Sequence, residues 1–149
     1  MKLTGIQMLQ LDNFASRNNI RFIVLFGSQT QALSQEGSDY DIAVSLKGGK
    51  SFMSDFDVYS QILDGLSTIL QIAYEKIDLT DLDNANILLR YEVTCRGKLL
   101  YGDELEYLEL KSFAYRDYID AKRLFDLERD LIGKRQKMIL ESLDKIISK

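Results

Sequence analysis

Five residues in this chain have the types and spacing to do chemistry together: Gly27, Ser28, Asp39, Asp41 and Asp78. Gly27-Ser28 follows the apolar run Phe22-Ile23-Val24-Leu25-Phe26, and Asp39-Tyr40-Asp41 follows a second turn signal, Gly37-Ser38. On a strand, residues i and i+2 share a face about 6.8 Å apart, at ~3.4 Å per residue. Asp39 and Asp41 would then repel each other by roughly 2.5 kcal/mol at an effective dielectric near 20. A divalent cation between them reverses the sign of that energy. Asp78 stands on its own alternating segment, Lys76 to Thr80, and joins the pair if the two strands are neighbours. Three carboxylates on adjacent strands suit a two-metal arrangement.

The Gly-Ser pair supplies the anion side of the same chemistry. A glycine after a strand lets the backbone come close to a ligand. A helix that starts there points unpaired amides and a positive dipole end at a phosphate, and Ser28 adds a hydroxyl donor. Phosphoryl and nucleotidyl transfer consist mostly of positioning and charge neutralisation, so this set is sufficient in kind. Each part has a plainer reading when taken singly. Gly27-Ser28 is also a turn, Asp39 and Asp41 also suit a solvated strand end, and Asp78 is one of several acids in a stretch with Asp81 and Asp83. Their order along the chain favours the joint reading.

The elements that must position these residues can be read from periodicity. Residues 4–18 show helical spacing of Met8, Leu11, Phe14 and Ala15. Phe22 to Phe26 reads as a strand buried on both faces, and Gly27-Ser28 opens a short helix or turn through about Gln35. From Asp39 to Leu46 the pattern alternates, with Tyr40, Ile42, Val44 and Leu46 opposite Asp39, Asp41, Ala43 and Ser45. Lys47-Gly48-Gly49-Lys50 is a solvated loop. Ser54 with Asp57 suggests a capping box before a helix whose stripe is Tyr59, Ile62, Leu63, Leu66, Ile69 and Leu70. Lys76 to Thr80 is a strand, Asn84 to Cys95 a helix, and Lys98 to Tyr101 a short edge strand. From Asp103 onward the pattern is helical, with a break expected near Gly133.

Composition excludes several other chemistries. The 149 residues contain no His and a single Cys, Cys95, so His-based triads, His-ligated zinc, thiolate clusters and internal disulfides are all ruled out. Any metal must therefore be a hard cation held by oxygen: magnesium, manganese or calcium. A net charge of -4 argues against a general nucleic-acid binder. No stretch approaches the roughly 18 apolar residues of a membrane span, and the N-terminal residues carry no signal-peptide core. A cytoplasmic location is expected.

The order of these motifs resembles the DNA polymerase β-type nucleotidyltransferase superfamily. More closely, it resembles the minimal nucleotidyltransferase antitoxins found beside HEPN-domain toxins. The family pattern of Gly-Ser, ten residues and Asp-x-Asp matches Gly27-Ser28 with Asp39 and Asp41, and its third acid matches Asp78 in Ile77-Asp78-Leu79. The stretch Arg96-Gly97-Lys98-Leu99-Leu100-Tyr101 resembles the segment that closes the domain. The likeness covers roughly residues 5–120. It implies an α/β (α+β) fold in which a small mixed sheet is flanked by helices. The nucleotidyltransferase core would span residues 1–102. Residues 103–149 would be a C-terminal helical extension packed on the core or on a partner. It also implies transfer of AMP from ATP, with magnesium (or manganese) on Asp39, Asp41 and Asp78, and nucleotide phosphates on Gly27 and Ser28. The acceptor in the antitoxin branch is a tyrosine of the cognate HEPN RNase toxin, which AMP addition silences. Partners would be that toxin and ATP, with no membrane or direct nucleic-acid contact, in a homo- or hetero-oligomer.

One departure stands out. Family members often carry Ala-Arg-Gly shortly after Gly-Ser, whereas this chain has Thr30-Gln31-Ala32, which replaces the usual Arg by Gln31. Two rivals follow: a small-molecule nucleotidyltransferase, and a binding-only antitoxin with a weakened site. The tail adds an open alternative of its own. Leu140, Leu143, Ile146 and Ile147 recur at helical spacing among Lys137, Glu141, Asp144 and Lys145, as a helix packed on its own domain or as a docking stripe.

Overall fold

The computed structural model describes residues 3–30 and 39–147, with the backbone alone for residues 29–30 and 144–147. The expected helix or turn through Gln35, the Gly37-Ser38 turn and Gln31 lie outside the described residues.

Helix α1 (Gly5–Arg17) starts at Thr4, whose hydroxyl accepts from the Gln7 amide while the Gln7 side chain accepts from the Thr4 amide. This reciprocal cap satisfies two otherwise orphaned donors. The helix buries Leu11 and Ala15 and packs Phe14, but Met8 stays 54% exposed, outside the stripe expected of it. Strand β1 (Ile20–Phe26) is buried on both faces, as its unbroken apolar run requires. Strand β2 (Tyr40–Leu46) pairs antiparallel with it. Helix α2 (Phe56–Leu70) then crosses to strand β3 (Ile77–Asp81), which runs parallel to β2. Its cap is Asp55, which accepts from the Asp57 and Val58 amides, and not Ser54. The helix begins at Phe56, so only Asp55 stands at the position from which a side chain reaches the second and third amides. Helix α3 (Ile87–Tyr91) continues as a π-helical turn, Glu92–Arg96, into edge strand β4 (Lys98–Tyr101). The sheet order is β3-β2-β1-β4, with β4 antiparallel to β1.

Side-chain parity divides the core between the two sheet faces. Ile23 and Leu25 of β1, Ile42 and Val44 of β2, and Ile77 and Leu79 of β3 meet α1 and α2. Phe22 and Val24 of β1, with Ala43 of β2, meet Leu82, Val93 and Tyr107 on the other face. Ile20 joins the first cluster although it shares parity with Phe22. A bulge resolves this: Ile20 faces Leu46 and Phe22 faces Ser45, so two residues of β1 oppose one step of β2.

Helix α4 spans Glu104–Ile147 without interruption. The break expected near Gly133 is absent, because a glycine costs about 1 kcal/mol relative to Ala inside a helix and a run this long absorbs it. Met1–Tyr115 forms one compact unit, and Arg116–Lys149 forms a second. Within the first unit Tyr107 anchors the start of α4. Its ring lies edge-on to Phe22, 5.5 Å between centroids, and its hydroxyl donates toward the Val93 and Thr94 carbonyls at 3.3 and 3.2 Å. Burial, with the neighbouring Cys95 sulfur adding to it, pushes the phenol up to about 12. Tyr107→Phe takes this donor from the Thr94 carbonyl, leaves the Val93 carbonyl with the Gly97 amide alone, and keeps the ring packing. Urea unfolding should show a loss of about 1–2 kcal/mol, and an unchanged midpoint would show that the hydroxyl does not hold the helix.

Candidate active site

The acidic residues gather at one end of the sheet, where β1 ends and β2 and β3 begin. Asp41 is the second residue of β2 and faces Phe26, the last of β1, on one side. On the other side it faces Asp78, the second residue of β3. Parallel register therefore brings the two carboxylate-bearing positions side by side, at the ~4.8 Å spacing of neighbouring strands. Both fall on the face opposite Ile42, Val44, Ile77 and Leu79, as strand alternation requires. Asp39 lies one residue before β2 and is exposed, while Asp41 is half-buried and Asp78 exposed.

Gly27 closes the site from the β1 side. It opens the 3-10 turn Gly27–Thr30 at φ +71, a left-handed conformation that favours glycine. A Cβ at this position would overlap the Asp41 carboxylate, with Cγ only 2.9 Å away. The glycine thus serves a purpose that the sequence did not suggest, since the backbone makes way for the Asp41 carboxylate. Ser28, next in the turn, is exposed.

Electrostatics mark the three acids as one cluster. Burial raises the Asp41 carboxyl above its ordinary value of 3.8, the Asp78 and Asp39 charges raise it further, and a hydrogen bond to its own backbone opposes them. Among the described residues, no group of three or more His, Cys, Asp or Glu side chains is arranged to hold a metal ion by itself. The donor set still suits a hard cation, because it is all oxygen and carries an uncompensated like-charge strain. Magnesium commonly takes one or two carboxylates and completes its shell with water and phosphate oxygens.

The other acids of the stretch are structural. Asp81 accepts from the Asp83 and Asn84 amides and from the Asn84 side chain, at 3.1, 3.4 and 2.8 Å, and so folds the loop after β3. Asp83 accepts from the Ser45 hydroxyl and the Leu46 amide, which ties that loop to the far end of β2. Lys47 and Lys50 follow β2 at that far end, a strand's length from Asp41, and are exposed. Arg96, which the sequence placed only in the segment that closes the domain, belongs to a turn near this end of the sheet. It ends the π-helical turn Glu92–Arg96, which packs against the Gly27–Thr30 turn, and its guanidinium is held by Glu92 at 3.0 Å. Local periodicity could not place it there, because the approach of the two turns is tertiary.

Comparison with known proteins agrees with this geometry. Residues 10–106 match the family described as Polymerase beta, Nucleotidyltransferase. The protein adenylyltransferase MntA of Shewanella oneidensis is 28% identical over 112 residues, which is 72% of this chain and 76% of that protein. A crystal structure of a toxin-antitoxin with AMP-PNP superposes with TM-score 0.59 at 23% identity, over 85% of this chain and 95% of that one. The tri-AMPylated Shewanella oneidensis HEPN toxin in complex with MNT antitoxin gives TM-score 0.56 at 22% identity, over 86% and 93%. At these identities the structures establish the likeness of fold: a mixed four-stranded sheet with helices on both faces.

The raised Asp41 value has a defined consequence for stability. A carboxyl whose folded value lies above its unfolded one favours the fold most below about pH 3.8, and that contribution is lost as pH rises through the folded value. Asp41→Asn should therefore raise the melting temperature at pH 7 in metal-free buffer, and the gain should vanish toward pH 3. Magnesium should raise the melting temperature of the wild type only. A destabilised Asn variant at pH 7, or equal magnesium shifts in both proteins, would contradict the cluster. Gly27→Ala should displace Asp41 and abolish the magnesium shift, whereas Ser28→Ala should retain it.

Proposed function

The chain belongs to the Polymerase beta nucleotidyltransferase family, and from that premise we propose that it is an antitoxin-type protein adenylyltransferase. It transfers AMP from ATP to a tyrosine hydroxyl of a cognate HEPN RNase toxin and so neutralises it. The observation that carries the reading is the register that sets Asp41 beside Asp78, with Gly27 fitted against Asp41. The likeness to MntA, a protein adenylyltransferase, supports the choice of reaction and acceptor class.

Asp39, Asp41 and Asp78 would hold magnesium, which supplies charge neutralisation on the nucleotide phosphates when bound. The Gly27-Ser28 turn offers backbone amides and a hydroxyl to those phosphates. The acceptor oxygen attacks the α-phosphorus, the bond to the β-phosphate oxygen breaks, and pyrophosphate leaves. In this reading Asp78, which is exposed at the strand end, takes the hydroxyl proton as base. The acidic balance of the chain suits a protein acceptor better than RNA. Gln31, in place of the family's usual Arg, is the one feature that favours the binding-only reading.

The test is incubation of the protein with labelled ATP, magnesium and a cognate HEPN toxin. The expected result is magnesium-dependent label on a toxin tyrosine, with loss of RNase activity in step. Asp78→Asn should lower kcat by roughly 10²–10⁴-fold, and Asp39→Asn with Asp41→Asn should abolish label. Neutralisation of the toxin without any label would select the binding-only reading instead.

A further inference from the structure

The second unit, Arg116–Lys149, carries a seven-residue repeat on the helix. Ala121, Glu128, Arg135 and Ser142 recur every seventh position. Leu124, Leu131 and Met138 stand three residues after them, and Phe125, Ile132 and Ile139 stand four after. At ~100° per residue those two apolar rows flank the first row by roughly 50° on either side. The result is one stripe, apolar at both edges, with a small-or-charged centre line. Leu124, Leu131 and Met138 are 68%, 56% and 60% exposed, and Ile132 and Ile139 are 50% and 49%. A shallow cavity of about 290 Å³ opens on this stripe, lined by Arg135, Met138, Ile139, Ser142 and Leu143. Among the described residues neither Glu128 nor Arg135 has an ion-pair partner.

We propose that this stripe pairs antiparallel with the same stripe of a second copy, making the protein a homodimer through α4. Charge complementarity selects that occupant and its register. When Glu128 faces the second copy's Arg135, the two-fold axis makes Arg135 face the second copy's Glu128, and Ala121 falls opposite Ser142. In the same register Leu124 lies beside the second copy's Met138, Phe125 beside its Ile139, and Leu131 and Ile132 beside their own equivalents. Sliding one copy by seven residues sets Glu128 against Glu128 or Arg135 against Arg135. Parallel pairing does both at once. Buried polar groups at such a seam are an attested way to fix register and orientation in paired helices, and here the two-fold axis makes two such layers. The area is adequate. Leu124, Leu131, Ile132, Met138 and Ile139, hiding about 100 Å² each, give on the order of 1,000 Å² for the pair, near the least that a specific interface needs, and the half-buried Phe125 adds to it.

The experiment is sedimentation equilibrium on the full chain without toxin, followed by variants. The expected mass is twice 17.1 kDa. Leu131→Glu should give a monomer with an unchanged circular dichroism spectrum below the transition. Glu128→Arg and Arg135→Glu should each weaken the dimer at least tenfold, and the double exchange should restore it. Restoration separates this pairing from general apolar adhesion. In a Cys95→Ser background, Leu124→Cys mixed with Met138→Cys should form an intermolecular disulfide, while Leu124→Cys alone should not. A monomeric wild type at tens of micromolar overturns the proposal and leaves the stripe to a different protein. A dimer indifferent to Leu131→Glu, or self-linking by Leu124→Cys, also overturns it. None of these readouts depends on nucleotide transfer, so they stand or fall apart from the proposed function.

Discussion

Asp41 is held between two backbone neighbours, and most of the first unit can be understood from what that position requires. The strand that carries it must pair antiparallel with β1 on one side and parallel with β3 on the other, or Phe26 and Asp78 would not flank it. The parallel pairing in turn demands a crossover, which α2 provides with Ile62, Leu66, Ile69 and Leu70 buried against the sheet. The turn after β1 must pass so close to the carboxylate that only glycine fits there. Removing the carboxylate would relieve repulsion, so stability of the fold does not account for the arrangement.

The sheet reconciles this site with a two-sided core. Because strand side chains alternate, the face that carries Asp41 and Asp78 at one end must be apolar further along, and Ala43 and Val24 serve there. The bulge at the start of β1 switches parity so that Ile20 and Phe22 can serve opposite faces. At the far end the Asp83 carboxylate, raised above its ordinary value chiefly by burial, is steadied by Ser45 and the Leu46 amide. One end of β2 thus gathers carboxylates, and the other is tied by Asp83 to the loop after β3.

Much of this was legible in the sequence, because periodicity reports burial directly. The unbroken apolar run of β1, the alternation of β3 and the stripe of α2 predicted the faces they bury, whereas β2 buries Ala43 and Ser45 as well as Ile42 and Val44 because the sheet is covered on both faces. Where local reading failed, the reasons are local too. Ser54 lost the cap to Asp55 because capping depends on which residue stands one before the first helical turn, a boundary that periodicity does not fix to a single position. Met8 looked like core because helical spacing cannot tell where a narrow stripe ends.

The sequence by itself determined the chemical class of the site: oxygen donors only, paired acids two apart, and a small-residue turn after a buried strand. No His and one Cys left oxygen donors as the set for a metal to use. Only the tertiary structure decided that Asp78 stands in register with Asp41, since strand order and direction depend on how distant segments pack. It also decided that Gly27 yields to Asp41, that the turn ending in Arg96 comes against the Gly27-Ser28 turn, and that Asp81 and Asp83 serve loops. These four outcomes rest on contacts between residues remote in the chain or on backbone hydrogen bonds, to which residue type and spacing are blind.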